Sequence, residues 1–308
     1  MNIYFSIVVP LYNKQNTILR ALNSIRNQIY NNFEVIIVND GSTDKSLDVV
    51  VNWIKSLIDH EKHKYRLINQ KNQGVSVARN TGIIHAKYDY IAFLDADDFW
   101  EENHLVNIIG LINKYSNKVD IFSSRGKQLQ NGEYIYPKLS NYYNYIGIVD
   151  FFKVSLISNG FINSSSVCIK KEVLKNNLFP VGMKNFEDII TWARIANNKG
   201  FAFSYEATSV YVIEHAEASR IIDFENYLRF EELFKTINYN RFLLKLYYIK
   251  FILLHILYAR MNMKLANYIQ NSLKIFGKSF VVSCCLIFGL CTPKFLLYRL
   301  RNIRKGKQ

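Results

Sequence analysis

Three carboxylates fall within four positions at Asp95, Asp97 and Asp98, directly after the apolar run Tyr90-Ile-Ala-Phe-Leu94. Acids this close repel one another and resist desolvation, so the grouping adds nothing to stability by itself. It becomes useful around a hard divalent cation, because Mg²⁺ and Mn²⁺ take carboxylate oxygens as ligands. The position at a strand end fits as well, since ligands in open α/β sheets collect at the carboxyl ends of strands. A solvated helix start explains the same acids, with Asp98 capping a helix that begins near Glu101.

The plan recurs upstream. In Val35-Ile-Ile-Val-Asn39-Asp40-Gly41-Ser42-Thr43-Asp44 a β-branched run stops at an acid, and a turn-forming Gly leads toward a helix. Asp40 at such a strand end can accept hydrogen bonds from a base edge or a ribose, and Gly41 permits close backbone approach. The run Ser6-Ile-Val-Val-Pro10-Leu11-Tyr12-Asn13-Lys14 reads as a strand stopped by Pro10, followed by an exposed Tyr and Asn. Gln73-Gly74-Val-Ser-Val-Ala78-Arg79-Asn80-Thr81-Gly82 suits a helix packed tightly under a loop, with Arg79 placed to meet a diphosphate or to orient an acid.

The elements that must carry these residues alternate. Strands are expected near 4–10, 34–39, 65–69 and 90–95, and helices near 16–29, 43–58, 75–86 and 101–115. This alternation predicts an α/β fold with a largely parallel sheet covered by helices on both faces. With 308 residues, 49% of them hydrophobic, the chain has ample core for one or two domains. No Gly-x-Gly-x-x-Gly follows the first strand and no P-loop occurs, so the usual dinucleotide and ATP fingerprints are missing. No internal repeat or low-complexity linker is evident.

Taken together and in this order, the motifs resemble those of the family 2 glycosyltransferases, which have the GT-A nucleotide-sugar-binding fold. The likeness is carried by Val8-Val-Pro10-Leu-Tyr12-Asn13, Val38-Asn-Asp40-Gly41-Ser42-Thr-Asp44, Asn72-Gln-Gly74 with Ala78-Arg79-Asn80, Leu94-Asp95-Ala-Asp97-Asp98, and Phe186-Glu187-Asp188. It spans about residues 4 to 215. It implies transfer of a sugar from a nucleoside diphosphate, UDP by family habit, to an acceptor hydroxyl with inversion at the anomeric carbon. Displacement of a nucleoside diphosphate needs positive charge on the leaving group, a base for the acceptor hydroxyl, and in-line alignment. The resemblance places Asp95 on the ribose side, Asp97 on a divalent metal, Mn²⁺ or Mg²⁺, and Asp40 toward the base. Pro10, Tyr12 and Asn13 would line the nucleoside site, and Arg79 would brace the nucleotide or the acids. Asp188 becomes the general base, beside Glu187 on the acceptor side, although both acids equally suit the positive N-terminal end of a helix over 189–199. His215 resembles the family's late histidine, which can approach the metal or diphosphate.

Two absences narrow the reading. No Gln-x-x-Arg-Trp motif occurs and no clear set of membrane spans is present. The resemblance leads one to expect that motif and multiple spans in the processive synthases of the group, so one sugar per encounter is the expectation. The Asn-, Lys- and Ile-rich composition points to a bacterial source. The analogy is then to lipopolysaccharide, capsule or other cell-surface polysaccharide synthesis on a glycan or lipid-linked acceptor. Two other classes are a sugar nucleotidyltransferase and a non-catalytic nucleotide-sugar or membrane-binding module. The first needs a Gly-rich basic loop after the first strand, which Pro10-Leu-Tyr-Asn-Lys14 does not supply.

Charge divides the chain. No acid follows Glu232, and residues 233–308 hold 14 of the 39 Lys and Arg. The other 25 basic residues are matched by the 25 acids, so the net charge of +14 belongs to the C-terminal quarter. The expected organisation is a catalytic domain over 1–232, nucleotide-binding to about 115 and acceptor-binding from 116, followed by a basic, aromatic-rich helical region over 233–308. Phe242–Tyr258 contains Lys245, Lys250 and His255, and Phe280–Cys291 is 12 residues long where a span needs about 20. Basic, aromatic helices of this kind suit an anionic membrane surface. Nucleic acid is the weaker partner, because the bases are interleaved with aliphatic runs. The N-terminus runs directly into the first strand without a cleavable signal, which gives a cytoplasmic expectation, peripheral on the inner membrane face. Cys168, Cys284, Cys285 and Cys291 have no zinc-like spacing and read as small hydrophobes. His60, His63 and His104 read as structural.

Overall fold

The computed structural model describes residues 2–137, 139, 142–158, 161–183, 185–196, 199–213, 225–234, 241–262 and 265–293. The chain divides into two compact units, Met1–Ala218 and Ser219–Gln308.

In the first unit, β1 (Phe5–Leu11), β2 (Phe33–Asp40), β3 (Tyr65–Gln70) and β4 (Tyr90–Phe93) lie in the order β3-β2-β1-β4 and pair in parallel. All seven residues of β1 and all eight of β2 are buried, as expected of strands covered on both faces. Helices α1 (Ile18–Arg26), α2 (Ser46–Ser56), α3 (Asp59–Lys62) and α4 (Val75–His85) make the connections. Helix α1 buries Ile18, Ala21, Leu22 and Ile25, the i, i+3, i+4, i+7 stripe of a helix lying on a sheet. Helix α4 packs against β1 more closely than a side chain allows. A Cβ on Gly82 would stand 2.3 Å from Val8 Cγ1, so Gly is required there.

The sheet continues through β5 (Phe99–Trp100), β6 (Ile121–Gln130), β9 (Val167–Lys170) and β10 (Phe201–Ile213), giving the full order β3-β2-β1-β4-β9-β6-β10-β5. Two further strands lie off this path, β7 (Glu133–Ile135) on β6 and β8 (Ile146–Val149) on β10. Strand β9 runs antiparallel to both β4 and β6. Strand β6, and β10 parallel to it, therefore point the same way as β4, and their carboxyl ends reach the same edge. Helices α5 (His104–Tyr115), α6 (Phe151–Ile157), α7 (Lys171–Lys175) and α8 (Glu187–Ala196) complete this α/β unit.

Two local expectations are corrected. Strand β1 runs through Pro10 to Leu11. Val8 O accepts from Leu94 N, so Pro10, two residues on, faces β4 at the point where that strand ends at Phe93, and its missing N–H falls at the end of the ladder. The helix expected from Glu101 begins at His104, because Phe99–Trp100 first pair with β10 and Glu101 N bonds Thr208 O.

The second unit is helical: α9 (Glu225–Phe234), α10 (Arg241–Asn262), α11 (Leu265–Ile275) and α12 (Phe280–Cys291). Helix α9 thus falls in this unit. Phe230 stacks on Phe251 with centroids 4.5 Å apart, and Tyr248 donates to Glu231 Oε2 at 2.7 Å. Among the described residues no helix is long and apolar enough to cross a membrane.

Candidate active site

The acids after β4 have separate environments. Asp98 is fully buried, accepting from Ser165 Oγ at 2.5 Å and from Val212 N in β10 at 3.2 Å. Burial, with Asp95 and Asp97 beside it, pushes its pKa well above the usual carboxylate range. Asp98 does not cap helix α5, whose N-cap is Asn103; it anchors the acidic loop to β10. Ser165 works twice, since its Oγ also accepts from Asp95 N at 3.1 Å. Asp95 Oδ1 accepts from Arg79 Nη2 at 2.7 Å.

Arg79 joins the two halves of the site. Its side chain is 4% exposed, and its other terminal nitrogen donates to Glu187 Oε1 at 2.8 Å. One guanidinium on α4 therefore bridges the acid after β4 to the acid at the start of α8, supported by the Phe179 ring 5.2 Å away. Of the two roles open to Arg79 from sequence, orienting acids is visible here. The fork geometry of guanidinium suits this bidentate task.

Asp188 follows Glu187 in the first turn of α8. Its Oδ1 accepts from Ile189 N at 2.7 Å and its Oδ2 from Ser164 Oγ at 3.5 Å. Desolvation, then the neighbouring Glu187, pushes its pKa up to about 6, with Arg79 acting in the opposite sense. The residue before the pair, Phe186, holds φ at +73°. For a bulky side chain this is a costly backbone state, of the kind found where structure fixes a functional group.

The loops after β1 and β2 are tied together. Asn13, itself at φ +50°, accepts through Oδ1 from Thr43 N at 2.8 Å and Asp44 N at 3.3 Å. Asp40 is buried, and its carboxylate accepts from Gln70 Nε2, Gln73 N and Gly74 N at 2.6, 3.0 and 2.8 Å. In the structure it fixes the loop entering α4, where Gly74 stands at φ +91°. Tyr12 is exposed beside these loops and Pro10 is buried at the end of β1. Lys14 Nζ sits 2.5 Å from Asp97 Oδ2. His215 lies outside the described residues.

The donor set fits a hard cation shared with a ligand. Asp97 already supports a cationic group, and its carboxylate and that of Asp95 offer only oxygen donors. Mg²⁺-type ions use one or two such carboxylates plus substrate phosphates rather than an all-protein cage. Among the described residues no group of three His, Cys, Asp or Glu gathers as ligands.

Several of these partners were missed from sequence. Ser164 and Ser165 sit in an unremarkable polar turn, Ser164–Ser166, and Lys14 gave no signal that it would reach Asp97 across 83 positions. His104 is structural as expected. It is buried, bonded through Nδ1 to Thr208 Oγ1 at 2.8 Å and stacked on Trp100. Burial lowers its pKa to about 3.

The sequence model of glycosyl transferase family 2 matches residues 6–176, more than half of the chain. Minor teichoic acid biosynthesis protein GgaB of Bacillus subtilis is 32% identical over 196 residues, covering 61% of this chain and 20% of GgaB. The chain spans 24% to 30% of the length of the first curated relatives it matches. Among solved structures, S. aureus TarS 1-349 in complex with UDP-GlcNAc superposes with a TM-score of 0.72 at 19% identity, covering 99% of this chain and 93% of TarS. Mannosyltransferase PcManGT from Pyrobaculum calidifontis, in complex with GDP-Man and Mn²⁺, gives a TM-score of 0.56 at 17% identity over 98% and 88% of the two chains. These neighbours share the GT-A fold. Acids ordered at the carboxyl ends of parallel strands and the match over residues 6–176 converge: the chain belongs to glycosyltransferase family 2.

Proposed function

We propose that this chain transfers one sugar from a nucleoside-diphosphate sugar, with UDP the nucleotide, to a hydroxyl of a glycan or glycolipid acceptor with inversion, in the synthesis of a bacterial cell-surface polysaccharide such as lipopolysaccharide or capsule. The observation that carries the reading is the Asp95–Arg79–Glu187 bridge, which fixes Asp188 beside the acids after β4. Asp188, with its pKa raised to about 6, takes the proton of the acceptor hydroxyl through a carboxylate oxygen. The acceptor oxygen then bonds to the anomeric carbon from the side opposite the diphosphate. The bond to the diphosphate oxygen breaks with its electron pair, which inverts the centre. Asp95 takes the ribose side, with Asp40, Pro10, Tyr12 and Asn13 shaping the nucleoside site. Asp97, with His215 as a further ligand, would hold a divalent cation, Mn²⁺ or Mg²⁺, which would supply positive charge for the leaving group. GgaB, named for teichoic acid biosynthesis, supports a surface polymer, TarS with UDP-GlcNAc supports a UDP-sugar, and PcManGT with Mn²⁺ supports the cation.

Calorimetry with UDP, GDP and dTDP, with and without Mn²⁺, tests the donor half. UDP is expected to bind in a Mn²⁺-dependent way, and Asp97→Ala is expected to lose that dependence. Absence of binding by every nucleotide to folded protein would overturn the reading.

The same proposal places the enzyme peripherally on the anionic inner face of the cytoplasmic membrane, through the second unit. No acid follows Glu232, while Leu273, Phe276, Phe280 and Phe288 are exposed on α11, α12 and the turn between them, Phe280 by 85%. Basic charge beside exposed aromatic residues is the composition of interfacial binding, and nucleic acid is not the expected partner. The full chain should co-sediment with phosphatidylglycerol vesicles in a salt-sensitive manner, and F280D/F288D should stay in solution. Undiminished sedimentation of the double variant would show that this face is not the anchor.

A further inference from the structure

The hairpin formed by β6 and β7 carries a row of tyrosines that the chemistry above does not use. Tyr134 of β7 lies opposite Leu129 and so shares the face that Lys127 and Arg125 occupy on β6, and Tyr136 follows directly after β7, two residues on. Lys127 Nζ lies 4.4 Å from the Tyr134 ring centroid, and the Arg125 guanidinium lies 5.2 Å from Tyr136 and 4.2 Å from Tyr205. Tyr143 meets the Tyr205 ring edge-on at 5.5 Å. The cations are beneath and the rings outside. Arg125 is buried and donates to Pro137 O, and Lys127 is paired with Glu101 Oε1 at 2.5 Å. Tyr134, Tyr136 and Tyr143 are 46%, 48% and 72% exposed.

Strand register places this row at the reaction edge. Ser123 of β6 faces Val167 of β9, and Ser165, two residues before Val167, holds both Asp95 and Asp98. Arg125 is therefore level with Asp95, and everything from Lys127 through β7 projects beyond the edge where the acids lie. The row is also joined to the acidic loop, since Lys127 pairs with Glu101 and β10 donates to Asp98 through Val212 N.

We propose that Tyr134, Tyr136 and Tyr143 form a stacking platform for a saccharide of the acceptor. Exposed rings held in place from behind present broad apolar faces at little entropic cost, which suits the C–H face of a pyranose. Lys127 is neutralised by Glu101 and Arg125 is covered, so the surface offers rings rather than charge. That excludes a phosphate group as its occupant in favour of a neutral sugar. Adjacent acceptor sugars rest on the rings while the terminal hydroxyl reaches Asp188. The assignment rests on the transferase reading and names where its acceptor binds.

Saturation-transfer NMR with cellobiose, lactose and N,N′-diacetylchitobiose tests it, alongside UDP calorimetry on the same samples. At least one disaccharide should receive saturation at its ring C–H protons from the wild-type chain. Y136A and Y143A should each weaken that binding by about 3- to 10-fold, the scale of one aromatic contact. Y136F and Y143F should retain it, because the ring and not the hydroxyl does the stacking, and all four variants should bind UDP as wild type does. Normal UDP binding with no disaccharide bound, or with disaccharide binding unchanged in the Y136A/Y143A double variant, would overturn the platform and leave the transferase reading standing. Disaccharide binding that depends on the tyrosines without any UDP binding would support the platform and remove the transferase reading.

Discussion

Asp188→Asn is expected to lower kcat by about 10²- to 10⁴-fold, the span of a general base, while leaving the affinity for UDP unchanged. The asparagine keeps the oxygen that accepts from Ile189 N, so the start of α8 is preserved, but it cannot take a proton from an acceptor hydroxyl. The pH profile separates this role from a structural one. Desolvation and Glu187 raise the pKa of Asp188 to about 6, so wild-type kcat should rise with pH through that value and then level. The variant should lose the limb along with the rate. Stability moves the other way. A carboxyl whose folded pKa lies above its unfolded value near 3.8 stabilises the fold fully only below the unfolded pKa. That contribution is lost as pH rises through about 6. Asp188→Asn should therefore gain on wild type in urea midpoint between pH 5 and pH 8. A variant with near wild-type turnover, or one keeping the acidic limb, would remove Asp188 from the base role.

Much of the first unit was legible because its parallel strands are continuous apolar runs that end in polar turns. Strands β1 to β4 lie within a residue or two of their expected positions, as does α4. The errors arose where tertiary pairing overrides local signals. Pro10 stays inside β1 because the pairing with β2 continues through it to Leu11 while the ladder with β4 ends there, and α5 starts late because β10 captures Phe99–Trp100. The site was legible as a set of acids but not as a network. Each motif announced its own carboxylate, yet what each carboxylate does depends on a partner far along the chain. Arg79 reaches Glu187 across 108 positions and Ser165 reaches Asp98 across 67. A serine in a polar turn carries no local mark of such a contact. Asp98 shows the consequence: read from spacing it suits a helix cap, and only the fold reveals it as a buried anchor.

Removing the Arg79 guanidinium should be the most damaging single change in the first unit. In Arg79→Met the apolar stem can still lie near Phe179, but the Asp95 and Glu187 carboxylates lose their shared counter-charge. Glu187 is buried, and an uncompensated charge there costs about 3–5 kcal/mol; partial exposure of Asp95 places the expected loss at the lower end. Denaturant midpoints would read it directly. Adding Glu187→Gln removes one of the two stranded charges, so the double variant should recover part of the loss, a coupling of about 1–3 kcal/mol. Arg79→Lys keeps the charge but has no fork to span both acids, so it should retain more stability than Arg79→Met and still lose most transfer activity. The clearest readout is again the pH profile. Arg79 is the charged group that, with the Ile189 N–H, opposes the raised pKa of Asp188, so without it the acidic limb should move above pH 6. A limb that stays in place in Arg79→Lys and Arg79→Met, with stability and turnover both retained, would mean that the Asp95–Arg79–Glu187 bridge neither holds the two halves of the site together nor sets the proton affinity of the base.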